Sequence, residues 1–313
     1  MTRTAKEFVA LLACLGAALC ASMSTLLLKV AVKEVPPVSL GCLRYLVGTG
    51  CLLACGMAMG RAKVMRLSAR DLPSLAFVGL MTFCLTTVGL AYALTKSPVA
   101  RVSILFATTP LWSLGLGILL RAEPISLRKL LGAAATLAGV IVLVWPSNGD
   151  LAVSGDLVAD AVVLAAAFGM ALGGFLQKRA LTRYAPFTVA VYRMASAAVL
   201  LLPAAIATDW DYLTATARAL TSSTITAIVL LGTLGGALMS LLWSYSFSKL
   251  SPTQVLMFMN LQPVITAGVA VFAFGEHPTV RLVLGGAAVL GGIGVALAAP
   301  RLTVIAVPSQ RLP

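Results

Sequence analysis

Charge is what this sequence lacks most. Only 11% of its 313 residues are Asp, Glu, Lys or Arg, and 60% are hydrophobic, with a mean hydropathy of +1.00. A soluble domain carries about 25% charged residues. A chain this apolar could not cover itself with polar surface in water, whereas a bilayer asks for apolar side chains on the outside. Acids are scarce, ten in all, and there is a single histidine, His277. Intramembrane catalysis needs a nucleophile with a base, or a set of metal ligands, and one histidine without clustered acids supplies neither. No phosphate-cradling glycine loop is present, so any energy source is a gradient and no cofactor is expected. Period-2 alternation is missing from the apolar runs, which excludes a membrane barrel. No ring of like polar groups suggests a continuous pore.

Cysteine is confined to the first half: Cys14, Cys20, Cys42, Cys51, Cys55 and Cys84. Cys51 and Cys55 stand one helical turn apart, but no second pair completes a metal site, and the six read as small buried thiols. The net charge of +13 does not point to nucleic acid, because the basic residues form no stripe or domain. They sit in short clusters between apolar runs.

Those runs are ten and of bilayer length: 8–30, 38–59, 73–94, 98–120, 127–145, 157–178, 187–207, 224–247, 252–274 and 280–299. Arg3 and Lys6 ahead of the first run mimic a signal peptide. The run continues to Val30, however, long enough to span, and reads as helix 1. With the N-terminus in the cytoplasm, fifteen Lys and Arg fall on the cytoplasmic side and six on the other, leaving Arg44 and Arg193 inside spans. The positive-inside rule then places both termini in the cytoplasm of an inner (plasma) membrane protein.

The chain repeats itself. Lys29, Pro37 and Arg44 match Lys178, Pro186 and Arg193 at an offset of 149. Tyr92, Lys96, Pro110, Glu123, Gly132 and Gly139 match Tyr245, Lys249, Pro263, Glu276, Gly285 and Gly292 at an offset of 153. One loop-length change separates the two blocks. Residues 1–150 hold helices 1–5 and residues 151–313 hold helices 6–10 with a short tail. Because five is odd, the second half enters the membrane inverted. The expected fold is an all-α integral membrane protein of ten transmembrane helices in two inverted five-helix repeats, the arrangement of many secondary transporters.

The end of each half resembles the EamA module of the drug/metabolite transporter superfamily. A proline in the fourth helix is followed by a glycine-rich stretch, an acid and a Gly-Ala-rich helix: Pro110…Glu123…Gly132 and Pro263…Glu276…Gly285. Arg44 and Arg193 match the arginine of the second helix. The family often has Trp in the first helix of a module, where this chain has Leu19 or Cys20 and Phe168. The resemblance spans the chain. It implies a carrier, not an enzyme, moving amino acids, other small metabolites or drugs by alternating access. In size and organisation the chain is similar to the YddG-like branch, whose members export aromatic amino acids. In such carriers helices 1, 3, 4, 6, 8 and 9 line the cavity.

Site candidates follow. Pro110 and Pro263 break helices 4 and 9 and free the carbonyls of Phe106 and Met259. Thr108, Thr109, Asn260 and Gln262 beside them face either the cavity or neighbouring helices. Ser22 and Ser24, with the aromatics Tyr92, Phe106, Phe168, Trp243, Tyr245 and Phe258, complete the candidate substrate contacts. Arg44 and Arg193 are costly in a span, by about 2.5–3.5 kcal/mol at mid-membrane, and read as a gate, an anion site or a buried structural pair. Glu123 and Glu276, just before helices 5 and 10, read as helix caps or as a symmetric gate. Gly56/Gly60, Gly169/Gly173 and Gly232/Gly236 allow close helix approach. The reading is a monomeric carrier for a small-molecule substrate, with amino-acid export ahead of a proton-coupled multidrug carrier, and a channel or structural protein as the different class. A reporter fused after Pro313 is expected to be active only on the cytoplasmic side; activity outside the cell would reverse the orientation.

Overall fold

The computed structural model describes residues 3–60, 67–124, 126–145, 156–214, 220–274 and 279–298. Helix 1 is Arg3–Ala31, helix 2 Pro37–Ala58, helix 3 Leu72–Lys96, helix 4 Val99–Leu119 and helix 5 Leu127–Val144. Helix 6 is Leu157–Ala180, helix 7 Pro186–Thr208, helix 8 Ser222–Lys249 and helix 10 Val280–Leu297. These nine are long and apolar enough to cross a membrane. Helix 9 comes in three pieces, Pro252–Met257, a 3-10 turn Phe258–Leu261, and Gln262–Phe274. Prolines stand in the first turns of helices 2, 7 and 9, where a missing N–H costs nothing.

The two halves are inverted. Helices 5 and 10 pack antiparallel, with backbones in contact. A Cβ on Gly132 would lie 2.5 Å from the Gly292 carbonyl oxygen, and one on Gly139 would lie 2.6 Å from that of Gly285. The ends close the same way: Arg128 donates to the carbonyl of Ala298 and Arg281 to that of Trp145, both at 2.6 Å. In each case two residues of one repeat meet the mates of each other, which is what a two-fold axis produces. Helices 2 and 7 cross on the same axis, where Gly48 packs on Met194 and the Cys42 thiol donates to the carbonyl of Ala198.

Helices 3 and 8 each hold a π-helical turn, Leu80–Cys84 and Thr233–Leu238, at equivalent positions. The glycine before each lets the arginine-bearing helix of the other repeat approach. A Cβ on Gly79 would lie 2.6 Å from the Arg193 carbonyl oxygen, and one on Gly232 would lie 3.1 Å from that of Arg44. Of the spaced glycines, Gly169 and Gly173 pack on helix 3 as expected. Gly60 does not pack: it ends helix 2 with φ 62 and nothing near it. Cys55 also departs from expectation, being exposed on the outer face of helix 2, while Cys14, Cys42 and Cys84 are buried.

The structure predicts which glycines are irreplaceable. Gly139→Leu should separate helices 5 and 10 and cost about 1–3 kcal/mol or more, seen as a lower melting temperature in detergent. Gly115→Ala, where nothing lies within 4 Å, should leave it unchanged.

Candidate functional site

The breaks in helices 4 and 9 meet on the two-fold axis. Asn260 donates through Nδ2 to the carbonyl of Ala107 (3.2 Å) and to the Thr136 hydroxyl (3.1 Å). Ala107 and Asn260 are repeat mates, 153 residues apart. The carbonyls expected to be free are satisfied. Thr109 donates its hydroxyl to Phe106 O at 2.6 Å, and the Gln262 N–H reaches Met259 O. Thr108 likewise donates to Leu105 O. These threonines therefore serve the break itself.

Helix 1 is pinned to the second break. The Ser22 hydroxyl donates to the carbonyls of Ala18 (2.9 Å) and Gln262 (3.0 Å), and Gln262 Nε2 donates to the Thr25 hydroxyl at 2.9 Å. Ser24 donates to Cys20 O and packs against Gly235. Phe258 and Trp243 are buried in the same core cluster, with Tyr245 against it. Phe106, half-buried, packs against a separate cluster of helices 3, 4 and 6. Tyr92 and Phe168 are exposed; Phe168 shares a face of helix 6 with the exposed Ala161 and Ala165 and meets Trp112 edge-on at 5.7 Å. The structure thus gathers Ser22, Asn260, Gln262 and Phe258 around the axis and leaves Tyr92 and Phe168 outside that group.

The arginines come next. Arg193 is buried, 3% exposed. It donates Nη1 to Gln177 Oε1 and Nη2 to the Ser240 hydroxyl (2.8 Å), and Gln177 passes a hydrogen bond on to Ser244 at 2.9 Å. Its guanidinium stands 4.7 Å from the Phe83 ring, which stands 4.8 Å from the Tyr45 ring, which stands 5.4 Å from the Arg44 guanidinium. Two aromatic rings thus separate two cations at the bundle centre. Tyr45, Gln177 and Ser240 were not among the sequence candidates; only the repeat-equivalent arginines hinted that partners must exist.

Glu123 caps a helix, but not its own. The chain leaves helix 4 through Arg121, a non-glycine at φ 49, with Ala122 N–H donating back to Gly117 O at 2.9 Å. That turn aims Glu123 inward. Its Oε1 accepts the Thr253 N–H of helix 9 at 3.0 Å, and its Oε2 takes the Lys129 ammonium at 2.5 Å, with side chains only 5% and 6% exposed. Ser113 and Thr253 share a hydroxyl bond alongside. Lys129 was absent from the sequence candidates, and Glu276 lies outside the described residues. At the opposite face Arg101 and Asp160 form a more open ion pair.

Equivalent ties close both rims. Thr221 donates its N–H (3.0 Å) and hydroxyl (2.8 Å) to Glu34, which holds that carboxyl below the usual range. At the other rim Tyr184 donates its hydroxyl to Asp71 at 2.5 Å, which pushes the phenol up. A recess of about 230 Å³ beside this tie, lined by Asp71, Arg179, Arg183 and Tyr184, is remote from the axis.

Comparison with known proteins agrees with this architecture. A profile of the EamA-like transporter family matches residues 8–145 and again 157–298. The chain belongs to that family. Among relatives, a protein of Streptantibioticus cattleyicolor named "Probable terminal-alkyne amino-acid exporter" is 31% identical over 77% of this chain and 78% of its own. A protein of Archaeoglobus fulgidus named "Uncharacterized transporter" is 24% identical over 86% of this chain and 91% of its own. A solved crystal structure shares the fold, with TM-score 0.77 at 21% identity, covering 94% of this chain and 97% of the other. This EamA-family chain is thus a multi-pass membrane protein of a transporter family.

Losing one partner of a buried ion pair costs about 3–5 kcal/mol, while replacing both by apolar groups costs little. Glu123→Gln should therefore lower the melting temperature sharply, and Lys129→Met added to it should restore most of the loss. Equal melting of all three proteins would show that the pair does not hold this face together.

Proposed function

We propose that this EamA-family chain is a secondary carrier that exports small metabolites, amino acids foremost, by alternating access. The reading places it in the inner (plasma) membrane with both termini in the cytoplasm, working as a monomer on a small-molecule substrate. One observation carries it. The repeat-equivalent segments Val99–Phe106 and Pro252–Met257 are packed unequally: only Val102 is buried in the first, while all six residues are buried in the second. Their continuations invert the pattern by face. Thr109–Leu119 buries five residues, whereas 262–269 buries none. The half-helices on the N-terminal side of the membrane are packed, and those on the other side are loose. Two copies of one template in two packing states are what a carrier needs, since exchanging the states moves the opening across the membrane. The amino-acid exporter name of one relative supports the substrate class.

Coupling to protons needs a titrating group at the site. Asp160, in the first turn of helix 6, is paired with Arg101, which favours exchange or facilitated export over antiport. Counterflow in proteoliposomes checks this. Preloading with an unlabelled amino acid should accelerate uptake of the labelled one at least several-fold, with no response to an imposed pH gradient. No counterflow across an amino-acid panel would sink the substrate class; uptake only under a pH gradient would replace exchange by proton antiport.

A further inference from the structure

Arg44 and Arg193 are repeat mates held unequally: each leaves its Nε buried without a partner, but only Arg193 has both terminal nitrogens bonded. Arg193 has Gln177, Ser240 and the Phe83 ring. The positions equivalent to Gln177 and Ser240 in the first repeat are Leu28 and Thr87. Leucine accepts nothing, and the Thr87 hydroxyl is already paired with the Tyr45 hydroxyl at 3.0 Å. Arg44 has one bond among the described residues, from Nη2 to the Gly235 carbonyl at 2.6 Å. Like that of Arg193, its Nε is buried with no partner, and the residue as a whole is half-buried.

The surroundings make this an opening rather than a defect. Arg193 lies among helices 6, 7, 8 and 3, and the repeat symmetry puts Arg44 among helices 1, 2, 3 and 8. Gly235, the carbonyl it holds, belongs to the π-helical turn of helix 8, with the Ser24 hydroxyl against it. Arg44 enters from the end of helix 2 that starts at Pro37, on the side where the broken half-helices are loosely packed. A guanidinium offers five N–H donors in a planar fork, and one of them is used here. Leaving the others unpaired inside an apolar span is costly. A carboxylate is the acceptor that matches two of them at once.

We propose that Arg44 is the carboxylate anchor of the transport site and that the substrates are small metabolites bearing a carboxylate, the α-carboxylate of an amino acid being the fitting case. Arg193, clamped by side chains, is a positioning residue that holds helices 6, 7 and 8 together against Phe83. The assignment rests on the export reading above and adds to it the residue that selects the substrate's charge.

The test compares L-phenylalanine and L-leucine with their carboxamides in counterflow, using wild type, Arg44→Gln and Arg44→Lys in proteoliposomes. Wild type should move each acid at least tenfold faster than its amide. Arg44→Gln should cut acid transport at least tenfold and bring the acid-to-amide ratio near one, and Arg44→Lys should keep part of the preference. In parallel, the acids but not the amides should raise the melting temperature of the wild-type protein, a readout independent of how the variants fold. An Arg44→Gln protein that keeps the wild-type ratio, or equal thermal shifts by acid and amide, overturns the anchor. Amino-acid transport with no acid preference sinks the anchor alone; no transport of any amino acid sinks the export reading with it.

Discussion

Helices 5 and 10 approach until backbone touches backbone, and that approach sets the alignment of the two halves. It is possible because Gly132, Gly139, Gly285 and Gly292 face one another across an antiparallel crossing. Lipid is as apolar as any side chain, so helices in a membrane gain little from burying leucine; close van der Waals contact between small residues is what associates them. Arg128 and Arg281 then take up the last carbonyls of the opposite helix. With this seam fixed, other contacts between repeats fall into symmetric places: helix 2 on helix 7, Gly79 under Arg193, Gly232 under Arg44, and the two breaks side by side.

The breaks would not survive elsewhere. Loosened backbone in hydrocarbon has no water to turn to and is tolerated only where the protein supplies partners or a cavity. Here the protein supplies them from short side chains. Thr108 and Thr109 cover the carbonyls of helix 4, the Gln262 N–H covers Met259, and Asn260 reaches across the axis to Ala107. A break satisfied locally can hinge without exposing a bare carbonyl, so the half-helices on either side can differ in packing while the break stays intact.

Much of this was legible in the sequence because it repeats in one dimension. Pro110 with Pro263, Glu123 with Glu276 and the paired glycines can be seen by sliding the chain along itself, and five spans per copy force the inversion. Contacts across a two-fold axis are not legible in that way. The offset says which residues are equivalent, not which residues touch. Glu123 looked like the cap of the helix that follows it, whereas the left-handed turn at Arg121 sends it to the N–H of Thr253. Lys129, Tyr45 and Gln177 have no marked repeat mates, at Leu282, Met194 and Leu28, so symmetry did not single them out. Phe168 was chosen for its depth along a span, which says nothing about which side of the helix it occupies.

The unmatched positions are where the repeats stop being copies. A perfectly symmetric protein would hold both arginines alike, and swapping conformations would only exchange identical clamps. With Gln177 in one repeat and Leu28 in the other, the clamp forms on one side only. Its members, Gln177, Arg193, Ser240 and Ser244, tie helices 6, 7 and 8 into one body. Among the described residues helix 1 has no such tie to Arg44, and is fastened instead to the second break through Ser22, Thr25 and Gln262. Under the alternating access proposed above, the rearrangement would concentrate where polar ties are few, in the outer halves of helices 4 and 9 and around Arg44. The same scarcity of polar groups that sends the chain into the membrane leaves Arg44 with a single hydrogen-bond acceptor, a backbone carbonyl, among the described residues.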